Sequence, residues 1–210
     1  MPRVVTGLVG LIVLAHVAAM FLAPATLEGL YVEFGVAPAY LLEAARSHPF
    51  AILVAPLSHV FLHGGWIHLL FNCFLILQTG ELVAERLGRD AGGALRFLTL
   101  FFASAAAGAV VYILFNAQSG TPAIGASGAG CGLYGAYLLA LAPNWRIAIR
   151  APAIWRMAFF FLAVNVGLAL LARASGVLPI AWEAHLGGFV GGVALYPLLA
   201  PRRVRRTPWG

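Results

Sequence analysis

The stretch "AIGASGAGCGLYGAY", Ala123 to Tyr137, sets one aliphatic hydroxyl, Ser127, among glycines, alanines and a single cysteine. Side chains this small let two helix backbones touch, and such contact is what joins helices in lipid, where apolar groups gain nothing by hiding from one another. A lone serine in such a segment is either a packing residue or a nucleophile. The rest of the chain has to decide between the two.

That rest is strongly apolar. With 210 residues, 62% of them hydrophobic and 10% charged, and a mean hydropathy of +0.93, the chain is excluded from the soluble globular class. A hydrocarbon core of about 30 Å takes about 20 apolar residues per helix. Six stretches qualify: Val4 to Leu22, Trp66 to Val83, Leu95 to Phe115, Ile124 to Leu141, Ile154 to Leu171 and Ile180 to Leu199. The expected fold is all-α: a polytopic six-transmembrane-helix bundle forming one membrane domain over residues 1–210. Residues 23–65 form an outer interfacial loop and residues 201–210 a basic tail. The first stretch, followed by "APA" at Ala23 to Ala25, has some features of a signal peptide, but its length and the even number of spans favour a retained helix.

All thirteen basic residues are arginine, and their placement gives the orientation. Arg3, then Arg86, Arg89 and Arg96, then Arg146, Arg150 and Arg156, then "RRVRR" at Arg202 to Arg206 occupy one set of connections, leaving only Arg46 and Arg173 for the other. The positive-inside rule puts both termini in the cytoplasm. The formal charge of +6 therefore needs no nucleic-acid partner; the basic tail reads as an anchor at anionic headgroups. Cys73 and Cys131 both fall within apolar segments, against a disulfide framework or a thiolate metal cluster.

Polar side chains in lipid need a partner or a purpose. The second stretch opens with "SHVFLHGGWIHLLFN", carrying His59, His63, His68 and Asn72; the fourth carries Ser127; the sixth opens with "IAWEAHLGGFVGG", carrying His185. His16 lies in the first stretch with no partner evident at its depth, and reads as packing. With the amino terminus inside, the second, fourth and sixth stretches all enter from the outer side, so His68, Asn72, Ser127 and His185 share one depth. His68 and Asn72, four apart, share a helix face. Stripes of small residues, Ser127 with Cys131 and Gly135, and His185 with Gly188 and Gly192, would let the fourth and sixth helices approach closely enough for a hydrogen bond from Ser127 to His185.

Taken singly, Ser127 is an ordinary helix-contact residue. Taken together, the set supplies a nucleophile, a base and extra donors, which packing alone does not require. Histidine accepts the serine proton near neutral pH, while Asn72, His68 and the backbone amides opening the fourth helix could stabilise an oxyanion. Glu183, two residues from His185, points elsewhere, so a two-residue dyad is expected. There is no H-E-x-x-H and few intramembrane carboxylates, so neither a metal nor a cofactor is expected.

In order, "HVFLHGGWIHLLFN", "GASG" and "AHLGG" resemble the rhomboid intramembrane serine proteases. The resemblance spans all six stretches. It implies a six-helix bundle with a water-filled cavity open to the outer side, Ser127 as nucleophile and His185 as base. It makes His68, Asn72 and Gly128 the oxyanion-stabilising group, His59, His63, Gly125, Cys131 and Gly188 the supporting residues, and a single-pass transmembrane protein the substrate. Two positions depart from the common pattern. Val54 and Ala55 stand where many members carry Trp-Arg, and Cys131 stands where many carry an aromatic ring against the catalytic imidazole, which would leave Tyr134 to orient it. A weakly active or inactive member that binds transmembrane helices is the alternative; a histidine-based transporter lacks the expected repeats and acidic residues. The expected location is a bacterial inner membrane. The oligomeric state is open.

Overall fold

In the computed structural model, residues 1–47, 50–174 and 180–201 are described. They form the helices α1 (Arg3–Ala19), α2 (Pro24–Phe34), α3 (Pro38–Ser47), α4 (Ala51–Ser58), α5 (Trp66–Leu87), α6 (Ala91–Phe115), α7 (Ser127–Ala140), α8 (Trp145–Ala148), α9 (Pro152–Ala174) and α10 (Trp182–Leu199), with a 3-10 turn at His59–Phe61. Among the described residues there is no strand; an isolated antiparallel bridge joins Val36 to Ala123. The protein is an all-helical membrane bundle. Arg202 to Arg206 lie outside the described residues.

Local sequence sets several boundaries. Asp90 caps α6 by accepting the Gly93 N–H at 2.8 Å, and Gly88, at φ +128°, turns the chain from α5 into that cap. Pro24 opens α2 at a position where no amide hydrogen is needed. Helices α5, α6 and α9 are long and apolar enough to cross a membrane. Helix α7 is not. Its 14 residues span about 21 Å at about 1.5 Å per residue, less than a hydrocarbon core.

The glycines of α10 explain the packing. A Cβ on Gly188 would strike the Gly128 carbonyl, and one on Gly192 the Gly132 carbonyl, both on α7. On the adjoining face, a Cβ on Gly187 would lie 2.7 Å from the Ala107 carbonyl oxygen and one on Gly191 2.8 Å from the Ala107 Cβ, both on α6. The repeated Gly-Gly pairs thus slot α10 between α6 and α7 at backbone contact. The stripe expected on α7 keeps Gly135, while Gly128 and Gly132 rather than Ser127 and Cys131 make its closest backbone approaches. Gly128, Gly132 and Gly135 face α10, whereas Cys131 turns into a cluster with Leu138, Ala158 and Phe189. At the tightest points a carbonyl occupies the space of a Cβ, so glycine rather than serine or cysteine has to stand there.

The described residues between 23 and 65 are largely helical. They fold into α2, α3, α4 and the 3-10 turn, with Val36, Ala37, Leu41, Ala55 and Val60 buried. Apolar contacts between this segment and Ala109, Tyr112 and Ala184 tie it to the C-terminal part of α6 and the N-terminal turn of α10. Those contacts are between residues far apart in sequence, and no local periodicity announces them.

Replacing Gly192 by leucine should lower stability by about 3 kcal/mol or more, because a backbone carbonyl cannot move aside. Gly7→Ala, where nothing lies within 4 Å, should be neutral or stabilising by up to about 1 kcal/mol. Unfolding in detergent micelles, followed by circular dichroism, separates the two.

Candidate active site

Helix α7 begins at Ser127, and the chain reaches it through an irregular segment that the neighbouring elements hold in place. Tyr112 donates to the Thr121 carbonyl at 3.0 Å, and Val36 and Ala123 exchange backbone hydrogen bonds of 2.9 Å. The Gly125 N–H donates to the His59 carbonyl at 2.9 Å, and the Ala126 N–H to Nε2 of His63 at 3.4 Å. The next amides, of Ser127, Gly128 and Ala129, belong to the first turn of α7 and have no carbonyl one turn earlier within the helix. They leave a set of backbone donors, with the positive end of the helix dipole, beside the serine.

Oγ of Ser127 lies 2.8 Å from Nε2 of His185. Both residues are partly exposed, while Nδ1 of His185 is buried without a hydrogen-bond partner among the described residues. An Nε2 that accepts the serine proton leaves the ring hydrogen on Nδ1. Among the described residues no carboxylate orients that nitrogen: Glu183 instead accepts from Asn116 Nδ2 at 3.2 Å, pinning the end of α6 to the start of α10.

His68 and Asn72 approach from α5. Asn72 is buried and donates to the His68 carbonyl at 3.0 Å. The His68 ring lies against Gly125, where a Cβ would sit 2.5 Å from its Nε2 and 3.3 Å from Asn72 Nδ2. Gly125 also has φ +104°, so two independent constraints demand glycine two residues before Ser127. The four polar residues expected at one depth are therefore brought to one place.

The supporting histidines act on the backbone. His59 donates from Nδ1 to the Ala55 carbonyl at 3.0 Å, and its own carbonyl holds Gly125. Ala55 and Val54, at the departing positions, thus serve through their carbonyls; Ser58 donates to that of Val54 at 3.0 Å. Burial, then the neighbouring imidazole of His68, pushes the His63 pKa down to about 3, leaving a neutral ring able to accept the Ala126 amide. Tyr31 of α2 fixes the His63 carbonyl with a 3.0 Å hydrogen bond. No spacing in the sequence points to Tyr31.

His16 packs among rings, with Nδ1 making no hydrogen bond among the described residues. It is buried, with its ring 6.2 Å from that of His63 and 5.0 Å from Trp66, both edge-on. It does have neighbours at its depth, because α1 ends beside the start of α5. Tyr134 stacks on Phe161 of α9, centroids 4.0 Å apart, with Phe189 of α10 at 6.5 Å. Among the described residues no cluster of three or more His, Cys, Asp or Glu could hold a metal ion.

A sequence model described as "Rhomboid domain" matches residues 53–202, most of the chain. The chain belongs to the rhomboid family. It is 34% identical over 150 residues to Rhomboid-like protease 5 of Toxoplasma gondii, covering 71% of this chain and 16% of that protein. It is 30% identical over 139 residues to RHOMBOID-like protein 5 of Arabidopsis thaliana, covering 66% and 41%. With Rhomboid-like protease 3 of Toxoplasma gondii it shares 31% over 144 residues, covering 68% and 49%. The chain thus spans less than half the length of these curated rhomboid relatives. Their plant and apicomplexan sources lend no support to a bacterial inner membrane.

Gly125→Ala should cost about 1–2 kcal/mol in backbone strain alone, plus the displacement of His68. Combining it with His68→Ala should recover the steric part and leave the strain. Thermal melts of the single and double variants in micelles measure both.

Proposed function

We propose that the protein is an intramembrane serine endopeptidase that cleaves transmembrane segments of single-pass membrane proteins through a Ser127–His185 dyad. One observation carries this reading: a serine at the first position of α7 lies 2.8 Å from a histidine ring nitrogen in a chain of the rhomboid family. Nε2 of His185 takes the Ser127 proton as Oγ attacks the scissile carbonyl, giving a tetrahedral oxyanion. His185 then returns that proton to the departing amine, leaving an acyl-serine. Water, deprotonated by the same nitrogen, attacks the ester and releases the acid and the serine.

The oxyanion would be met by the amides at the start of α7, with Gly128 foremost, by Asn72 and by His68. Each such donor contributes about 3–4 kcal/mol in a water-poor site. His59, His63, Gly125 and Gly188 hold those groups in place. Irregular backbone at membrane depth is tolerated only within protein or beside water, which accords with a hydrated outer cavity above Ser127. A helical peptide bond is shielded by its own turn, so the substrate must unwind locally to reach the serine.

The proposed topology is a single membrane domain over residues 1–210 with six spans, α1, α5, α6, α7, α9 and α10. Both termini are cytoplasmic, residues 23–65 lie at the outer interface and residues 201–210 form a basic tail. Cys131 favours a second reading, a catalytically weak member that binds transmembrane helices, because no ring stands at that position against His185.

A fluorophosphonate should label the wild type at Ser127. Ser127→Ala should abolish the labelling, and both Ser127→Ala and His185→Ala should lower cleavage of a reconstituted transmembrane substrate by at least about 10³-fold with unchanged melting. Asn72→Ala should lower kcat by about 10²-fold. A folded wild type that resists the probe would defeat the protease reading, and unchanged cellular function in a Ser127→Ala strain would favour helix binding. For the topology, Arg46→Cys should react with an impermeant maleimide in intact cells, and Arg146→Cys only after permeabilisation.

A further inference from the structure

At the end of the bundle away from Ser127, α9 stands off from α7 and α10. The gap is an apolar cavity of about 240 Å³, floored by Gly135, Ala158, Phe189 and Val193 and lipped by Ile149 and Trp155. The lip is built rather than incidental. Trp155 Nε1 donates to the Ile149 carbonyl at 2.8 Å, clamping the ring across the turn between α8 and α9. Each lip residue is followed by an exposed arginine, Arg150 after Ile149 and Arg156 after Trp155. Arg146 lies one turn back, against the face of Trp145 at 5.0 Å.

No acidic residue occurs between Asp90 and Glu183, and the ion pairs among the described residues involve only Met1, Arg46 and Arg89 as cations. Two exposed arginines without an ion pair among the described residues therefore follow directly on the residues that lip an apolar slot, with an indole at the rim where interfacial tryptophans anchor. That combination has one chemical complement in a bilayer: a phosphate headgroup joined to an acyl chain.

We propose that this slot binds an anionic phospholipid, its headgroup between Arg150 and Arg156 and one acyl chain between α9 and the α7–α10 pair. The bound chain fills the space that α9 leaves open beside Phe189, one turn along α10 from His185, and so braces the helix pair that carries Ser127 and His185. The leaflet follows from the proposed topology; the slot and its arginines do not depend on it, nor on whether the protein is a protease.

The test uses the full chain in micelles, titrated with phosphatidylglycerol or with phosphatidylcholine of the same acyl composition, and read by native mass spectrometry and thermal melting. Phosphatidylglycerol should be retained and should raise Tm, whereas phosphatidylcholine should do neither. The double variant Arg150→Gln/Arg156→Gln should bind phosphatidylglycerol roughly thirty-fold more weakly, the effect expected of two basic residues at anionic headgroups. Val190→Trp, at an exposed position on the slot wall, should block binding while leaving the lipid-free Tm unchanged. Equal binding of the two lipids, or undiminished binding by the arginine double variant, would overturn the proposal. So would a dimer that forms in wild type and is lost in Val190→Trp, since a second copy would then occupy the slot.

Discussion

The contact between the backbones of α7 and α10 governs everything at the site. A Ser127–His185 separation of 2.8 Å requires two helices to stand closer than side chains ordinarily permit. Gly128 opposite Gly188 and Gly132 opposite Gly192 make this possible. The cost is the helix propensity forfeited by each glycine, up to about 1 kcal/mol against alanine. Dispersion contact along the seam, and the contact of Gly187 and Gly191 with α6, offset it. Packing and chemistry are therefore two consequences of one arrangement.

A second constraint acts on the approach to Ser127. The strand-like segment before α7 is fixed by His59 and His63, by the bridge to Val36, and by the left-handed conformation at Gly125 beneath the His68 ring. Those holding groups come from residues 23–65 and from the start of α5. This segment thus contributes to the site by positioning backbone rather than by offering a side chain to a substrate. Because α7 is short, the amides it leaves free open inside the bundle, where a charge developing beside them is stabilised far more than in bulk water.

Much of this was legible in the residues. Each of the six apolar stretches falls on a helix, and α5, α6 and α9 are long and apolar enough to cross a membrane, since hydropathy in a membrane chain is a local property of about 20 residues. His68, Asn72, Ser127 and His185 could be grouped because polar side chains in lipid are rare enough to count. The contributions of Tyr31, of Glu183 with Asn116, and of His16 beside Trp66 could not be read. Each depends on a neighbour far away in sequence, and no periodicity encodes such pairs.

The sequence by itself determined a helical membrane protein and a short set of polar residues in apolar surroundings, because burying an apolar surface or a lone hydroxyl in lipid is decided residue by residue. Only the tertiary structure decided which face of α7 meets α10. The segment from Ala123 to Tyr137 offers small residues on every face, so its own pattern cannot select one. The position of the α10 glycines selects it, by admitting carbonyls only where a Cβ is missing. That choice set Cys131 beside the seam, against Phe189 of α10 and Ala158 of α9, and left Ser127 at the seam's end, facing His185.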